Sequence, residues 1–241
     1  RALEHVRHHT TDGGVRLAEG RPTHLSVEGV DLDLPDGQPL MANINFSLVR
    51  GETVLLAGAS GSGKSTLVRA IAGIWPFGRG KIHVPEGARV LFLPQRPYLP
   101  IGALREVVSY PMSGGGVEDK TLREALEAVG LTEIAGRLDE EANWALQLSP
   151  GEQQRLAFAR TLVQKPGWLF LDEATSALDE TTEARLYRLV RERLPETMVF
   201  SIGHRATLEL FHARRLMVER SANGPASIVE IGRPQLEQIP G

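Results

Sequence analysis

Nine consecutive residues, Gly58-Ala59-Ser60-Gly61-Ser62-Gly63-Lys64-Ser65-Thr66, contain the pattern G-x-x-x-x-G-K-[ST]. Glycines at that spacing let backbone N–H groups turn inward around phosphate oxygens. Lys64 then supplies a cation to the β- and γ-phosphates, and the Ser65 hydroxyl supplies a ligand to Mg²⁺. A second group of reactive residues is Asp172-Glu173, which ends the apolar run Trp168-Leu-Phe-Leu171. Two carboxylates in that place divide two tasks, Asp172 holding Mg²⁺ and Glu173 polarising a water as general base. A lone Asp-Glu pair often just opens a turn, but a phosphate loop needs a Mg²⁺ carboxylate from another strand. The loop alone does not choose among kinases, GTPases, helicases and transport ATPases.

These residues need elements to position them. Thr53–Ala57 is a short apolar run closed by Gly58, as expected of a strand buried on both faces. Similar runs recur at Val90–Leu93, Trp168–Leu171, Met198–Ile202 and Leu216–Val218, and helical patterns lie at 64–73, 151–164 and 181–193. Alternating buried strands and helices predict an α/β fold with parallel strands. His24–Val30 and Ile44–Val49, joined through the turn signal Asp36-Gly37, predict a small antiparallel sheet near the N-terminus. Residues 97–150 break the alternation with helical stretches at 102–109 and 119–129 and a glycine run at 114–116. They predict an inserted helical subdomain that extends to about residue 162. Residues 1–22 read as a connector of mixed charge ending at Pro22, and the rest as one domain, 23–241.

Composition narrows the function classes. The 241 residues carry 27 Lys and Arg against 30 Asp and Glu, a formal net charge of -3. A domain that binds nucleic acid mainly through phosphates is usually basic, so no nucleic-acid partner is expected. The chain has no cysteine, which excludes disulfides, thiolate zinc sites and cysteine nucleophiles. The longest stretch without Asp, Glu, Lys or Arg is 13 residues, Gly37 to Val49, and a membrane span needs about 20 apolar ones. The first residues are charged and lack the apolar core of a signal peptide, and the start at Arg1 leads us to expect a piece of a longer chain. His5, His8 and His9 have no carboxylate or fourth ligand nearby in the sequence, so no metal is expected there.

Between the loop and the acidic pair lies Leu148-Ser149-Pro150-Gly151-Glu152-Gln153-Gln154-Arg155. Ser149 suits a helix N-cap, Pro150 the first helical position and Glu152 the capping-box position, so the segment could be only a well-capped helix. It also resembles the signature sequence of ATP-binding cassette (ABC) ATPases, usually Leu-Ser-Gly-Gly-Gln. The resemblance extends to Asp172-Glu173-Ala-Thr-Ser176-Ala-Leu-Asp179, similar to that family's second acidic motif and D-loop. Gln95, 31 residues after Lys64, matches its Q-loop, and His204, just after an apolar strand, its switch histidine. These motifs stand in the family's order over residues 58–204.

The resemblance implies a P-loop ABC ATPase domain that hydrolyses Mg²⁺-ATP and works as a head-to-tail dimer with two ATP molecules sandwiched between the copies. Ser149 and the Gly151 N–H would then bind the γ-phosphate held by the partner copy, as a helix N-terminus suits an anion. Gln95 would touch Mg²⁺ and the water and sense a membrane domain. Asp179 would bridge the halves, and His204 would contact the γ-phosphate and orient Glu173 and water. Local wording such as Gly73-Ile-Trp75-Pro76, Asn143-Trp144 and Leu91-Phe-Leu-Pro-Gln95-Arg-Pro-Tyr98 is similar to one branch, the peroxisomal fatty-acyl (ABC-D) and bacterial BacA-like carriers. Trp75 and Trp144 equally suit ordinary packing. In that branch the ATPase is fused behind a membrane domain. This implies a transmembrane partner upstream in the same chain and a location on the cytoplasmic face of a membrane, the bacterial inner membrane first.

Pro150 in place of the first signature glycine removes one phosphate-facing N–H, and Glu152 replaces Gln. Many members stack adenine on an aromatic residue where this chain has Leu34, so weak discrimination between bases is expected. The rival function is a soluble ABC ATPase acting on DNA or the ribosome. Such proteins usually carry two cassettes or a coiled coil, and this chain shows one cassette and neither insertion.

Overall fold

The computed structural model describes residues 14–20, 24–112, 116–220 and 224–231. The chain divides into two compact units, one made of the residues up to Arg89 and from Met198 onward, the other of Val90–Thr197.

The first unit holds strands β1 (Arg16–Gly20), β2 (His24–Asp33), β3 (Pro39–Val49), β4 (Thr53–Gly58) and β5 (Gly78–Pro85), helix α1 (Lys64–Ile71), and strands β10 (Met198–Ile202), β11 (Arg214–Arg220) and β12 (Ala226–Ile231). Within it the sheet order is β1-β5-β2-β3-β12-β11-β4-β10. Alternation along β2 puts Leu25, Val27, Val30 and Leu32 in the core. The same period in β3 buries Met41, Ile44, Phe46 and Leu48, and β2 and β3 pair antiparallel, as the sequence predicts. By contrast Val54–Ala57 of β4 and all five residues of β10 are buried, and β4 runs parallel to both β10 and β11. The antiparallel part joins the parallel part through a single residue pair, Ala226 of β12 with Met41 of β3. One sheet thus replaces a separate small one. Phe46 and Phe200 stack across this core at 6.1 Å.

The second unit holds β6 (Val90–Pro94), β7 (Gly102–Ala103), α2 (Leu104–Ser109), α3 (Asp119–Ala128), α4 (Thr132–Ala135), β8 (Glu141–Ala142), α5 (Trp144–Gln147), α6 (Pro150–Gln164), β9 (Trp168–Asp172) and α7 (Glu180–Arg193). Strands β6 and β9 pair parallel, with Phe92 stacked on Phe170 at 4.9 Å. Helix α6 buries its own Leu156, Ala157, Phe158 and Ala159, and Phe158 meets Tyr187 of α7 edge-on. Each fully buried large apolar side chain contributes roughly 1.5–3 kcal/mol.

Strands β5 and β1 escape a reading of the sequence. Strand β5, Gly78-Arg-Gly-Lys-Ile-His-Val-Pro85, has glycines and charges where alternation is sought, yet β1 pairs on one side of it and β2 on the other. Gly80 is required there: its φ is +110° and a Cβ would fall 2.6 Å from the Gly29 carbonyl oxygen. Strand β1 lies within the span read as a connector; residues 1–13 and 21–23 of that span lie outside the described residues. Trp144 is a fully buried packing residue whose Nε1 donates to the Gly102 carbonyl, and half-buried Trp75 donates likewise to that of Asp33.

Candidate active site

In the first unit, the end of the buried strand β4 runs straight into the glycine loop, and the loop into α1. Gly63 is the N-cap of α1, with φ +99° and no side chain bonded to the helix end. Its Cβ position lies 2.9 Å from the Met41 sulfur, so this turn admits only glycine without strain. The first N–H groups of α1 therefore have no side-chain cap, an arrangement suited to an anion. The loop also contains a buried hydroxyl. Ser62 is 1% exposed, and its Oγ has no hydrogen-bond partner among the described residues. Lys64 is buried, and its Nζ donates to the carbonyls of Gly58 at 2.9 Å and Ala59 at 2.7 Å. The ammonium is thus drawn back along the loop. Ala59, Ser60 and Gly61 are exposed, whereas Ser65 and Thr66 are half-buried.

His204 follows β10 and is exposed. With Gly58, Ala59, Arg205, Glu209 and Arg215 it lines a cleft of about 370 Å³ in the same unit. The fold therefore brings the switch candidate and the start of the glycine loop to one cleft. The 3₁₀ turn Ala206–Phe211 closes the His204 loop. Buried His212 anchors the far end of that turn, its Nδ1 bonded to the Leu208 carbonyl and its Nε2 to the Ser201 hydroxyl of β10. Leu34 sits half-buried in the β2–β3 turn, closed by the Gly37 N–H donating to the Leu34 carbonyl.

In the second unit, β9 ends at Asp172 and the chain turns at once. Glu173 has φ +51°, a left-handed conformation that a side chain with a Cβ adopts at a cost of roughly 1–2 kcal/mol. The segment after it is tied at three points. Thr175 donates to the buried Glu183 carboxylate, the Ala177 N–H donates to Gln154, and the Asp179 side chain caps α7 by accepting from the Thr182 N–H at 2.8 Å. That backbone N–H, together with the Thr182 hydroxyl, holds the Asp179 carboxyl below the usual range. Asp172 and Glu173 are half-buried, and Gln95, just past β6, is exposed.

The signature segment forms the capped helix start that its residues suggest. The Ser149 hydroxyl accepts from the Glu152 N–H, and the Glu152 carboxylate accepts from the Ser149 N–H at 2.8 Å and from its hydroxyl at 2.6 Å. These bonds hold the Glu152 carboxyl below its ordinary value. Pro150 occupies the first helical position. A Cβ on Gly151 would lie 3.3 Å from the Ala177 carbonyl oxygen, so a larger residue here presses on the following loop.

Gln154 has no role in the reading of the motifs. No spacing rule separates it from Gln153; only burial does, Gln154 being 2% exposed and Gln153 half-buried. Among the described residues no three His, Cys, Asp or Glu gather into a metal cluster, and His5, His8 and His9 lie outside the described residues.

A family model described as ABC transporter matches residues 41–176, more than half of the chain. An "uncharacterized ABC transporter ATP-binding protein" of Haemophilus influenzae is 40% identical over 198 residues, covering 82% of this chain and 33% of that protein. The human "lysosomal cobalamin transporter ABCD4" is 38% identical over 219 residues, covering 84% of this chain and 36% of that protein, in agreement with the branch resemblance. The chain thus spans about a third of the length of these relatives. A solved "bacterial Atm1-family ABC exporter with ATP bound" shares the fold, with TM-score 0.74, 24% identity and coverage of 90% of this chain and 41% of that one. The match to the family model runs from β3 through the glycine loop, the signature helix and the acidic strand, and the chain belongs to the ABC transporter family.

Proposed function

We propose that this chain binds and hydrolyses Mg²⁺-ATP and drives a transporter as the cytoplasmic ATPase of a larger protein. The observation that carries this reading is the glycine loop. Its uncapped helix end, the orphaned Ser62 hydroxyl and the buried Lys64 ammonium suit the phosphates of a nucleotide. Backbone N–H groups of residues 58–66 take the phosphate oxygens, and Lys64 exchanges its carbonyl partners for β- and γ-oxygens. Mg²⁺, when bound, neutralises charge on those oxygens; Ser65, Asp172 and Gln95 supply oxygen atoms to it. Glu173 takes the proton of the attacking water, whose oxygen bonds to the γ-phosphorus as the bond to the bridging oxygen breaks. The products are ADP and phosphate. His204 orients the water and the γ-phosphate.

The remaining γ-phosphate contacts come from a second copy. Ser149 is exposed at the N-terminus of α6, and the Gly151 N–H has no intrahelical acceptor at that position. Asp179 stands at the N-terminus of α7, ready to bridge to the other copy. No described helix is long and apolar enough to cross a membrane. We assign the transmembrane part to the remainder of the parent chain, upstream, and the ATPase to the cytoplasmic face of a bacterial inner membrane.

The test uses dilution. Two copies must meet to complete each site, and without a membrane tether no effective concentration of about millimolar is supplied. Specific ATPase activity should therefore rise with protein concentration. Ser149→Arg should suppress activity more than tenfold and leave nucleotide binding intact. Activity per molecule that stays flat down to concentrations where sizing shows only monomer overturns the composite site.

A further inference from the structure

Gln154 is one of the few buried uncharged polar side chains of the second unit, and its carboxamide reaches two separate stretches of chain. Its Nε2 donates to the Gln95 carbonyl at 2.9 Å and to the Ser176 hydroxyl at 3.2 Å, while its Oε1 accepts from the Ala177 N–H at 3.0 Å. Both donor hydrogens and the acceptor oxygen are in use. Gln95, Ser176 and Ala177, with Arg96, Pro150, Gln153 and Gln154 itself, line a cleft of about 400 Å³. Five residues before Gln154 stands Ser149, the N-cap of the same helix.

Farther along α6, Arg160 makes a second attachment. It is 5% exposed; its Nε donates to the Val107 carbonyl at 2.7 Å and its Nη1 to the Tyr98 carbonyl at 2.6 Å. Burial pushes this guanidinium down to about 10, still charged at neutral pH. The segment Gln95–Tyr98 is therefore pinned at both ends to one helix, and the loop before Asp179 is pinned to the same helix at Gln154. Two of the three partners of Gln154 are a main-chain carbonyl and a main-chain N–H, and these set the register whatever side chains those segments carry.

We propose that Gln154 is a positioning residue that locks the Gln95 segment and the Ser176–Asp179 segment to the helix bearing Ser149, so that the three shift as one body. The mechanical part stands on the hydrogen bonds alone. Its consequence for turnover rests on the hydrolytic reading given above.

Two substitutions in the full chain separate its parts. Gln154→Glu keeps an acceptor for the Ala177 N–H but sets an oxygen against the Gln95 carbonyl. Gln154→Met keeps the volume and removes all three bonds. Amide hydrogen exchange, resolved by segment, reads the result without nucleotide. The Ala177 amide should exchange at least tenfold faster in the Met variant and near the wild-type rate in the Glu variant. Amides of the Gln95–Tyr98 segment should speed up in both. In the ATPase assay, kcat should fall at least tenfold in both variants while nucleotide affinity stays within twofold. Exchange unchanged in either segment, or accelerated throughout residues 90–197, overturns the lock. The expected exchange pattern with unchanged kcat overturns its link to turnover. If the wild-type chain itself hydrolyses no ATP while exchange behaves as expected, the hydrolytic reading fails and the lock stands.

Discussion

The two units build functional geometry from different materials. In the first, the candidate site is mostly main chain: a glycine loop between a fully buried strand and a helix, with one buried lysine and one buried hydroxyl. In the second, it is mostly side chain: Ser149 bonded to Glu152, Thr175 to Glu183, Asp179 to Thr182, and Gln154 to three partners. A main-chain site tolerates changes of side chain but not of backbone conformation. A site tied by side-chain bonds tolerates neither loss of a group nor a shift of its neighbours, because each bond has one geometry. The difference predicts that substitutions in the glycine loop of the first unit act on nucleotide affinity, and those at the side-chain ties of the second unit on rate.

The largest effect expected is that of Glu173→Gln. Removal of a general base lowers the rate by about 10²–10⁴, and the substitution leaves the residues of the glycine loop intact, so affinity should stay unchanged. Single-turnover ATPase measurements beside equilibrium binding check this. Turnover near wild type would remove Glu173 from its role, and a parallel loss of affinity would break the division between the units.

A smaller effect on the other parameter is expected from Gly63→Ala. The residue is held at φ +99°, and the added Cβ crowds Met41. A left-handed residue with a Cβ costs roughly 1–2 kcal/mol, which is on the order of tenfold in nucleotide affinity. The rate at saturating nucleotide should stay close to wild type. A variant with unchanged affinity and reduced rate would show that the loop conformation serves the chemistry rather than binding.

The smallest effect concerns the base. Leu34 offers no ring to stack on, and a stacked base is worth roughly 1–3 kcal/mol in other nucleotide sites. Competition binding should give a preference for ATP over GTP below about tenfold. A preference of a hundredfold would assign stacking to an aromatic residue, with Trp75 the first to substitute because its Nε1 bonds to the residue before Leu34.

Regularity decided what was readable. The glycine loop, the acidic strand, the capped signature helix and the uniformly apolar strands β4, β9 and β10 each follow from local chemistry: an anion cradle, an N-cap, or burial on both faces. The edges of those elements and the order of the motifs were therefore present in the sequence alone. Strand β5 was not, because its glycines meet a need that arises only when the Gly29 backbone lies alongside. The left-handed Glu173 was not, since the strain is imposed by the ties on the residues that follow it. Nor was Gln154, which differs from Gln153 only in the face of α6 it occupies. Its partners lie 59, 22 and 23 residues away in the chain, and contacts at such separations leave no mark in local spacing. Residue type and spacing determined which groups the protein has for phosphate chemistry; packing among distant segments decided which polar side chains hold those groups in register.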